Sequence, residues 1–253
     1  MCFDLDSLPP IPVISGAAVS HDDLVLEARD DNRFAAFAAT PDDPSGTGVV
    51  ILPDVRGLYR FYEELALRFA ERGFTAVAID YFGRTAGVAK RDDEFPFMDH
   101  VAKTTPDTVQ ADVEAAVAHM RSPAGGSCRS VFTVGFCFGG RNSWLAAASG
   151  HEPTGAIGFY GSPGERDGRP GPTQRAAEIQ APILALQAGD DQMIPAEANE
   201  AFEQALTAAG VDHELVVYEG APHSFFDRRY EDFADASEDA WRRVLSFIEA
   251  KSG

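Results

Sequence analysis

A pentapeptide, Gly135-Phe136-Cys137-Phe138-Gly139, carries the strongest chemical signal in the chain. It follows the apolar run Val131-Phe132-Thr133-Val134 and precedes a helical pattern. That is the setting of a nucleophile elbow, with cysteine where serine is commoner. Such a turn is sharp and strained, so side chains two positions either side of the nucleophile would collide with neighbouring backbone. The helix that begins there points its positive end and free N–H groups at the sulfur, which favours thiolate over thiol. The competing account of Cys137 is a small buried structural thiol; strand before and helix after favour the nucleophile.

A nucleophile of this kind needs a base, and the base needs an acid to orient it. Among the six histidines, His119 falls in a helical pattern, His213 opens a strand and His21 precedes the main sheet. His151 falls in a turn expected to be exposed. His223 differs: it sits in the tight loop Glu219-Gly220-Ala221-Pro222-His223-Ser224-Phe225 behind the strand pattern Glu214–Tyr218. The acid belongs between nucleophile and histidine in chain order. Gly189-Asp190-Asp191-Gln192-Met193-Ile194-Pro195 follows the strand pattern Ile183–Ala188, and at this point either aspartate fits. No histidine–carboxylate set has metal-ligand spacing, and neither a metal nor an organic cofactor is expected.

Residues so far apart in sequence need a scaffold that gathers them. Leu24–Ala28 and Phe34–Ala39 read as an antiparallel pair about a turn at Asp30, Asp31 and Asn32. Val49–Pro53 is a continuous apolar run, as in a strand buried on both faces. A helix with Leu65, Phe69 and Ala70 on one face then ends at Gly73, and Thr75–Ile79 is the next strand. Pro106 behind Thr105 marks a capped helix start, with Val109, Val113, Val117 and Met120 following at helical spacing. Strand Val131–Phe136, helix Gly139–Ala148, strands Ala156–Tyr160 and Ile183–Ala188, helix Ala196–Ala209, strand Glu214–Tyr218 and a last helix through Trp241, Val244, Leu245 and Ile248 complete the series. Strands alternating with helices predict a mainly parallel central sheet with helices on both faces, and residues 1–253 are expected to form a single α/β domain. Gly83–Thr105 and Gly161–Ile179 stand out as long irregular stretches, and the nucleophile, acid and base all fall at the C-terminal ends of strands, where such sheets assemble sites.

With these motifs in hand, the chain resembles the dienelactone hydrolase family over essentially all of residues 20–250. The resemblance rests on the elbow, the acid loop 189–195, the histidine loop 220–225 and Leu52-Pro53-Asp54-Val55-Arg56-Gly57. It implies an α/β-hydrolase fold and hydrolysis of a small activated ester or lactone through a Cys137–His223–Asp191 triad and an acyl-enzyme. The family acid stands four residues before the proline, which selects Asp191. A family carboxylate after the first long parallel strand takes the thiol's proton; the family residue is typically Glu, and the matching position is Asp54. The implied oxyanion hole is the pair of backbone N–H groups of Phe138 and Val55.

The family holds a substrate carboxylate with arginines, one of them just after the histidine. Here Asp227 occupies that place, with Arg228 and Arg229 beyond it and Arg84 and Arg91 in the long loop as substitutes. Phe82, Phe95, Phe97, Met98 and Tyr160 are candidates for an apolar acyl pocket, although aromatics often serve only the core.

Composition narrows the field. Asp plus Glu number 40 against 21 Lys plus Arg, a net charge of −19, which repels phosphate backbones and argues against a nucleic-acid partner. No apolar run reaches a membrane span's length, so no membrane partner is expected. Cys2, Cys128 and Cys137 are too few for a disulfide framework, and acids stand where a signal peptide needs positive charge, so a cytoplasmic enzyme with free thiols is expected. The partner is a small-molecule ester or lactone; the sequence sets no oligomeric state. Two other readings use the same residues: a general carboxylesterase of broad aryl-ester specificity, and a thiol-based sensor using Cys137, for which Cys128 is the candidate resolving cysteine.

Overall fold

Apolar runs without polar breaks become the central strands, because both of their faces are covered. The computed structural model describes residues 3, 4 and 6–253; Cys2 lies outside them. Among the described residues eight strands form one sheet: β1 (Val19–Glu27), β2 (Arg33–Pro41), β3 (Thr47–Leu52), β4 (Thr75–Ile79), β5 (Ser130–Phe136), β6 (Gly155–Phe159), β7 (Ile183–Asp190) and β8 (His213–Pro222). Their spatial order is β1-β2-β4-β3-β5-β6-β7-β8. β1 and β2 pair antiparallel, as does β2 with β4, and every pairing from β4 across to β8 is parallel. This is the α/β-hydrolase fold.

The helices of the described residues are α1 (Arg60–Ala70), α2 (Gly83–Ala86), α3 (Phe97–Val101), α4 (Pro106–Arg121), α5 (Phe138–Ala147), α6 (Ala196–Ala209) and α7 (Ala234–Lys251). The period-2 alternation of the strands divides the core. Val49, Ile51, Ala76, Ala78, Val134 and Phe136 face α1 and α7, against Phe61, Leu65, Phe69, Trp241 and Val244. Val50, Leu52, Val77, Ile79 and Val131 face α4, against Val109, Val113, Val117 and Met120. Each fully buried side chain of this size contributes about 1.5–3 kcal/mol, so a one-residue slip of β3 loses both layers together. Thr105 caps α4 as its residue types predict, its Oγ1 accepting the Thr108 N–H at 3.2 Å. Among the described residues no helix is long and apolar enough to cross a membrane.

The crossover from β3 to β4 carries α1 on one face, and that from β4 to β5 carries α4 on the other. β3 therefore has its sequence successors on opposite sides, and the crevice beyond its C-terminal end lies where strand order reverses, the usual ligand position in such sheets.

Several boundaries differ from expectation. α1 ends at Ala70, and Gly73 follows in the left-handed conformation at φ +84°. β8 runs on to Pro222, because its pairing with β7 resumes at Asp190↔Pro222 after a bulge. His21 lies within β1, not before the sheet. His151 is buried, its Nε2 bonding Gln110 Oε1 at 3.1 Å, whereas an exposed turn was expected. The stretch 83–105 contains α2 and α3, and 161–179 contains a tight hairpin and one 3-10 turn.

Candidate active site

Cys137 stands between β5 and α5 at φ 55°, ψ −111°, a sparsely populated conformation for a residue with a side chain. Its neighbours hold it there. The Cys137 N–H donates to Phe159 O at 3.0 Å, tying the turn to β6. A Cβ on Gly135 would lie 2.0 Å from the carbonyl oxygen of Gly139, and one on Gly139 would lie 2.0 Å from that of Leu52. Glycine at 135 lets the turn close on itself. Glycine at 139 lets the first turn of α5 press against the end of β3, which brings the segment carrying Asp54 and Val55 beside the elbow. Phe138 begins α5, so its N–H has no carbonyl one turn back to meet.

Asp191 and His223 are brought together by the bulge. Once Asp190 pairs with Pro222, the next residue on each strand is Asp191 and His223. Asp191 Oδ2 lies 2.6 Å from His223 Nδ1, and Oδ1 accepts the Met193 N–H at 2.9 Å. Asp190 points away, its Oδ1 accepting an exposed Gln192 Nε2. Burial works to raise the Asp191 carboxyl, but the bond and charge of His223, with the N–H groups of Met193 and Ile194, hold it below the usual carboxylate range. Burial also works against charge on His223. Hydrogen bonds to Asp191 and Cys137, and the charges of both, outweigh it and raise the imidazole to about 9. Buried Nε2 thus has the Cys137 sulfur as its functional neighbour.

Asp54 is 1% exposed. Its Oδ1 accepts the Arg56 N–H at 2.8 Å, and its Oδ2 the Tyr59 hydroxyl at 3.2 Å, while its own N–H donates to Tyr62 Oη at 2.9 Å. The Arg56 guanidinium makes no ion pair with it; it lies over the Tyr59 ring and bonds Phe3 O. Burial, and next the charge of Cys137, push the Asp54 carboxyl up to about 7.

Cys137, Phe138, Tyr160, Met193, Ile194 and His223 line a cavity of about 250 Å³, and the Tyr160 ring lies 4.9 Å from that of His223. The structure therefore brings Cys137, His223, Asp191, Asp54, Phe138 and Tyr160 to one end of the sheet. Other candidates lie elsewhere. Phe82 is wholly buried in the α4-side core. Arg84 is consumed by Asp30 at 2.7 Å and by buried Asp112 at 2.6 Å. Arg91 pairs with buried Asp80 at 2.7 Å. Half-buried Phe97 opens α3 and does not line this cavity. Arg228 and Arg229 bind the N-terminal segment, at the carbonyls of Pro9 and Ile11 and at Asp4 and Asp6.

That segment was not anticipated. Phe3 stacks on Phe61 with ring centres 3.9 Å apart and packs against Tyr62, Phe136 and Tyr160. The Ser7 hydroxyl donates to Asp227 at 2.6 Å, so Asp227 fastens a strap where an arginine was sought. The signal was weak: a Pro-rich stretch in which Phe3 and Ile11 are isolated apolar residues.

A sequence model of the dienelactone hydrolase family matches residues 34–252. A Yersinia pestis protein provisionally named carboxymethylenebutenolidase is 32% identical over 224 residues, covering 86% of this chain and 84% of that one. An Escherichia coli protein of the same provisional name is 30% identical over 255 residues, covering 96% and 93%. The crystal structure of a provisionally named dienelactone hydrolase from Klebsiella pneumoniae superposes with a TM-score of 0.80 at 26% identity, covering 92% of this chain and 99% of that one. The chain belongs to the dienelactone hydrolase family and is a hydrolase of carboxylic esters and lactones.

Proposed function

We propose that the chain cleaves an activated ester or lactone of small size through the triad Cys137–His223–Asp191 and an acyl-enzyme on the cysteine. The observation that carries this reading is the strained Cys137, facing an imidazole whose far nitrogen is held at 2.6 Å by a buried carboxylate. A strained residue fixed by its surroundings is characteristic of a functional site, and a nucleophile, base and orienting acid in sequence is the triad arrangement.

The thiol proton passes to Asp54 as the sulfur attacks the carbonyl carbon. The Phe138 and Val55 N–H groups receive the oxyanion. On collapse, the leaving oxygen takes the proton of the His223 imidazolium. Neutral His223 then removes a proton from water, and the hydroxide attacks the thioester. Expulsion of the thiolate releases the acid, and the Asp54 proton returns to sulfur. Asp54 sits near 7 because burial, and next the charge of the thiolate, oppose its ionisation, so one proton is shared between them and titrates as a property of the pair.

A broad aryl esterase is the second reading, favoured by Arg84 and Asp227 both being engaged in structural contacts at the expected carboxylate clamps. A thiol sensor is disfavoured. Cys128 is buried before the start of β5 and Cys137 follows its end, which separates them by about 20 Å of strand. Free thiols at both positions fit a cytoplasmic enzyme acting as one domain. In purified protein, Cys137→Ala abolishes hydrolysis of 4-nitrophenyl acetate while melting stays near that of the parent. Full turnover in that variant would remove Cys137 as nucleophile.

A further inference from the structure

Beyond Phe138 the reacting cavity adjoins a larger one of about 430 Å³, and Phe138, Arg141 and Arg166 line both. Its far wall includes Leu145, Val109 and Arg169. Together the two spaces exceed what a small lactone fills and fall within the range of ordinary ligand pockets.

The charge of this second space is unusual for the molecule. The chain carries a net −19, yet three arginines and a single acid, Asp167, line the cavity. Arg141 is 6% exposed and has carbonyls for partners, Ser162 O at 3.0 Å, Pro170 O at 3.4 Å and Gly164 O. It makes no ion pair among the described residues. Burial, and then the nearby charge of Arg166, draw its guanidinium down to about 10. Arg166 lies 3.7 Å from Asp167, in an exposed pair that contributes little.

The loop that Arg141 holds closes in a two-residue hairpin. Arg166 N donates to Arg169 O at 3.0 Å and Arg169 N to Arg166 O at 2.9 Å, with Asp167 and Gly168 both at positive φ. Residues paired this way across a hairpin project from one face. Both arginines face the cavity, and a buried guanidinium without a carboxylate stands behind them.

We propose that this cavity is a second compartment of the substrate site and takes the anionic end, a carboxylate or a phosphate, of an elongated ester whose carbonyl lies at Cys137. The inference rests on Cys137 being the nucleophile, and it widens the substrate from a small lactone to a chain that passes Phe138. Arg166 and Arg169 are the specificity-determining residues, and Arg141 is the positioning residue that folds their loop.

The test pairs binding with turnover. Suberic acid mono-4-nitroanilide and its neutral primary amide, neither of which carries an ester bond, are titrated into the wild-type protein by calorimetry. The free acid binds about tenfold to a hundredfold tighter, as expected for hydrogen bonds to a charged group. In Arg166→Ala/Arg169→Ala, and in Arg169→Glu, the two ligands bind alike. The corresponding 4-nitrophenyl esters show the same preference in kcat/KM. Equal affinity in the wild type, or a preference that survives both variants, overturns the compartment. If the acid is preferred but Cys137→Ala still turns over the esters, the nucleophile is misassigned and the compartment stands. An anilide ending in phosphate decides the anion: the tighter of the two ends identifies it.

Discussion

Asp54 and Asp191 are residues of one type on loops at the same end of the sheet, and their carboxyls go opposite ways. Both are buried, which alone raises a carboxyl pKa. Asp54, almost wholly buried and next to the charge of the Cys137 sulfur, rises to about 7. Asp191 faces the imidazolium of His223 and stays below its usual range. Deeper burial and the sign of the neighbour's charge together separate a carboxyl raised toward neutrality from one that remains an anion and holds a ring.

The largest expected effect is at Asp191. Asp191→Asn loses roughly 10⁴-fold in kcat, by analogy with the loss of the orienting acid in a serine protease. Asp190→Asn stays close to the parent, because that carboxylate bonds only Gln192 and sits in solvent. Steady-state rates with an aryl ester check both, and the reverse order would place the acid one residue earlier. Next comes Asp54→Asn, which slows acylation by about 10²–10⁴-fold while deacylation, served by His223 and Asp191, changes little. Stopped-flow separation of the two phases reads this; an unchanged acylation rate takes Asp54 out of the mechanism.

The same comparison has a thermodynamic side. An aspartate raised to about 7 in the fold and near 3.9 when unfolded keeps its proton only in the folded state between those pH values. The folded state then binds more protons, so stability falls as pH rises from about 4 to 7, by about 1.4 kcal/mol per unit. Urea denaturation across that range detects it, and Asp54→Asn flattens the slope. Asp191, held low, contributes with the opposite sign: its stability is lost as pH drops through its folded value. An identical slope in Asp54→Asn and parent would show that Asp54 is ionised throughout.

The smallest kinetic effect is at Arg56. Asp54 takes the Arg56 backbone N–H and leaves the guanidinium to the Phe3 carbonyl and the Tyr59 ring. Arg56→Ala therefore costs about 1 kcal/mol of stability and leaves acylation near the parent rate. If it reproduces Asp54→Asn in stopped flow, Asp54 is a turn residue that acts through the arginine.

These carboxylates also mark how far the sequence could be read. The order of strands and helices was legible because β3, β4 and β5 are mostly apolar and uncharged, and α4 announces itself with Thr105 and Pro106. The elbow and the histidine loop were legible because their glycines and proline sit where backbones meet. Asp190 and Asp191 could not be told apart from the residues alone, since the deciding feature is a bulge in β7–β8 pairing that no local residue encodes. Arginine partners were equally hidden. Arg84 meets Asp30 and Asp112, and Arg141 meets three carbonyls, across separations of 20 residues or more. Phe82 and Phe97 looked like pocket residues for the same reason: aromatic type does not say which face of the sheet a side chain fills.

The central claim is that Cys137 carries the acyl group, and it can be weighed directly. Wild-type protein is mixed with 4-nitrophenyl acetate, quenched in acid within the burst, digested and analysed by mass spectrometry. The account predicts one acetyl group on the peptide containing Cys137, absent from Cys137→Ala and persisting longer in Asp191→Asn. Turnover with no acetyl on Cys137, or with acetyl only on the Cys128 peptide, would contradict it.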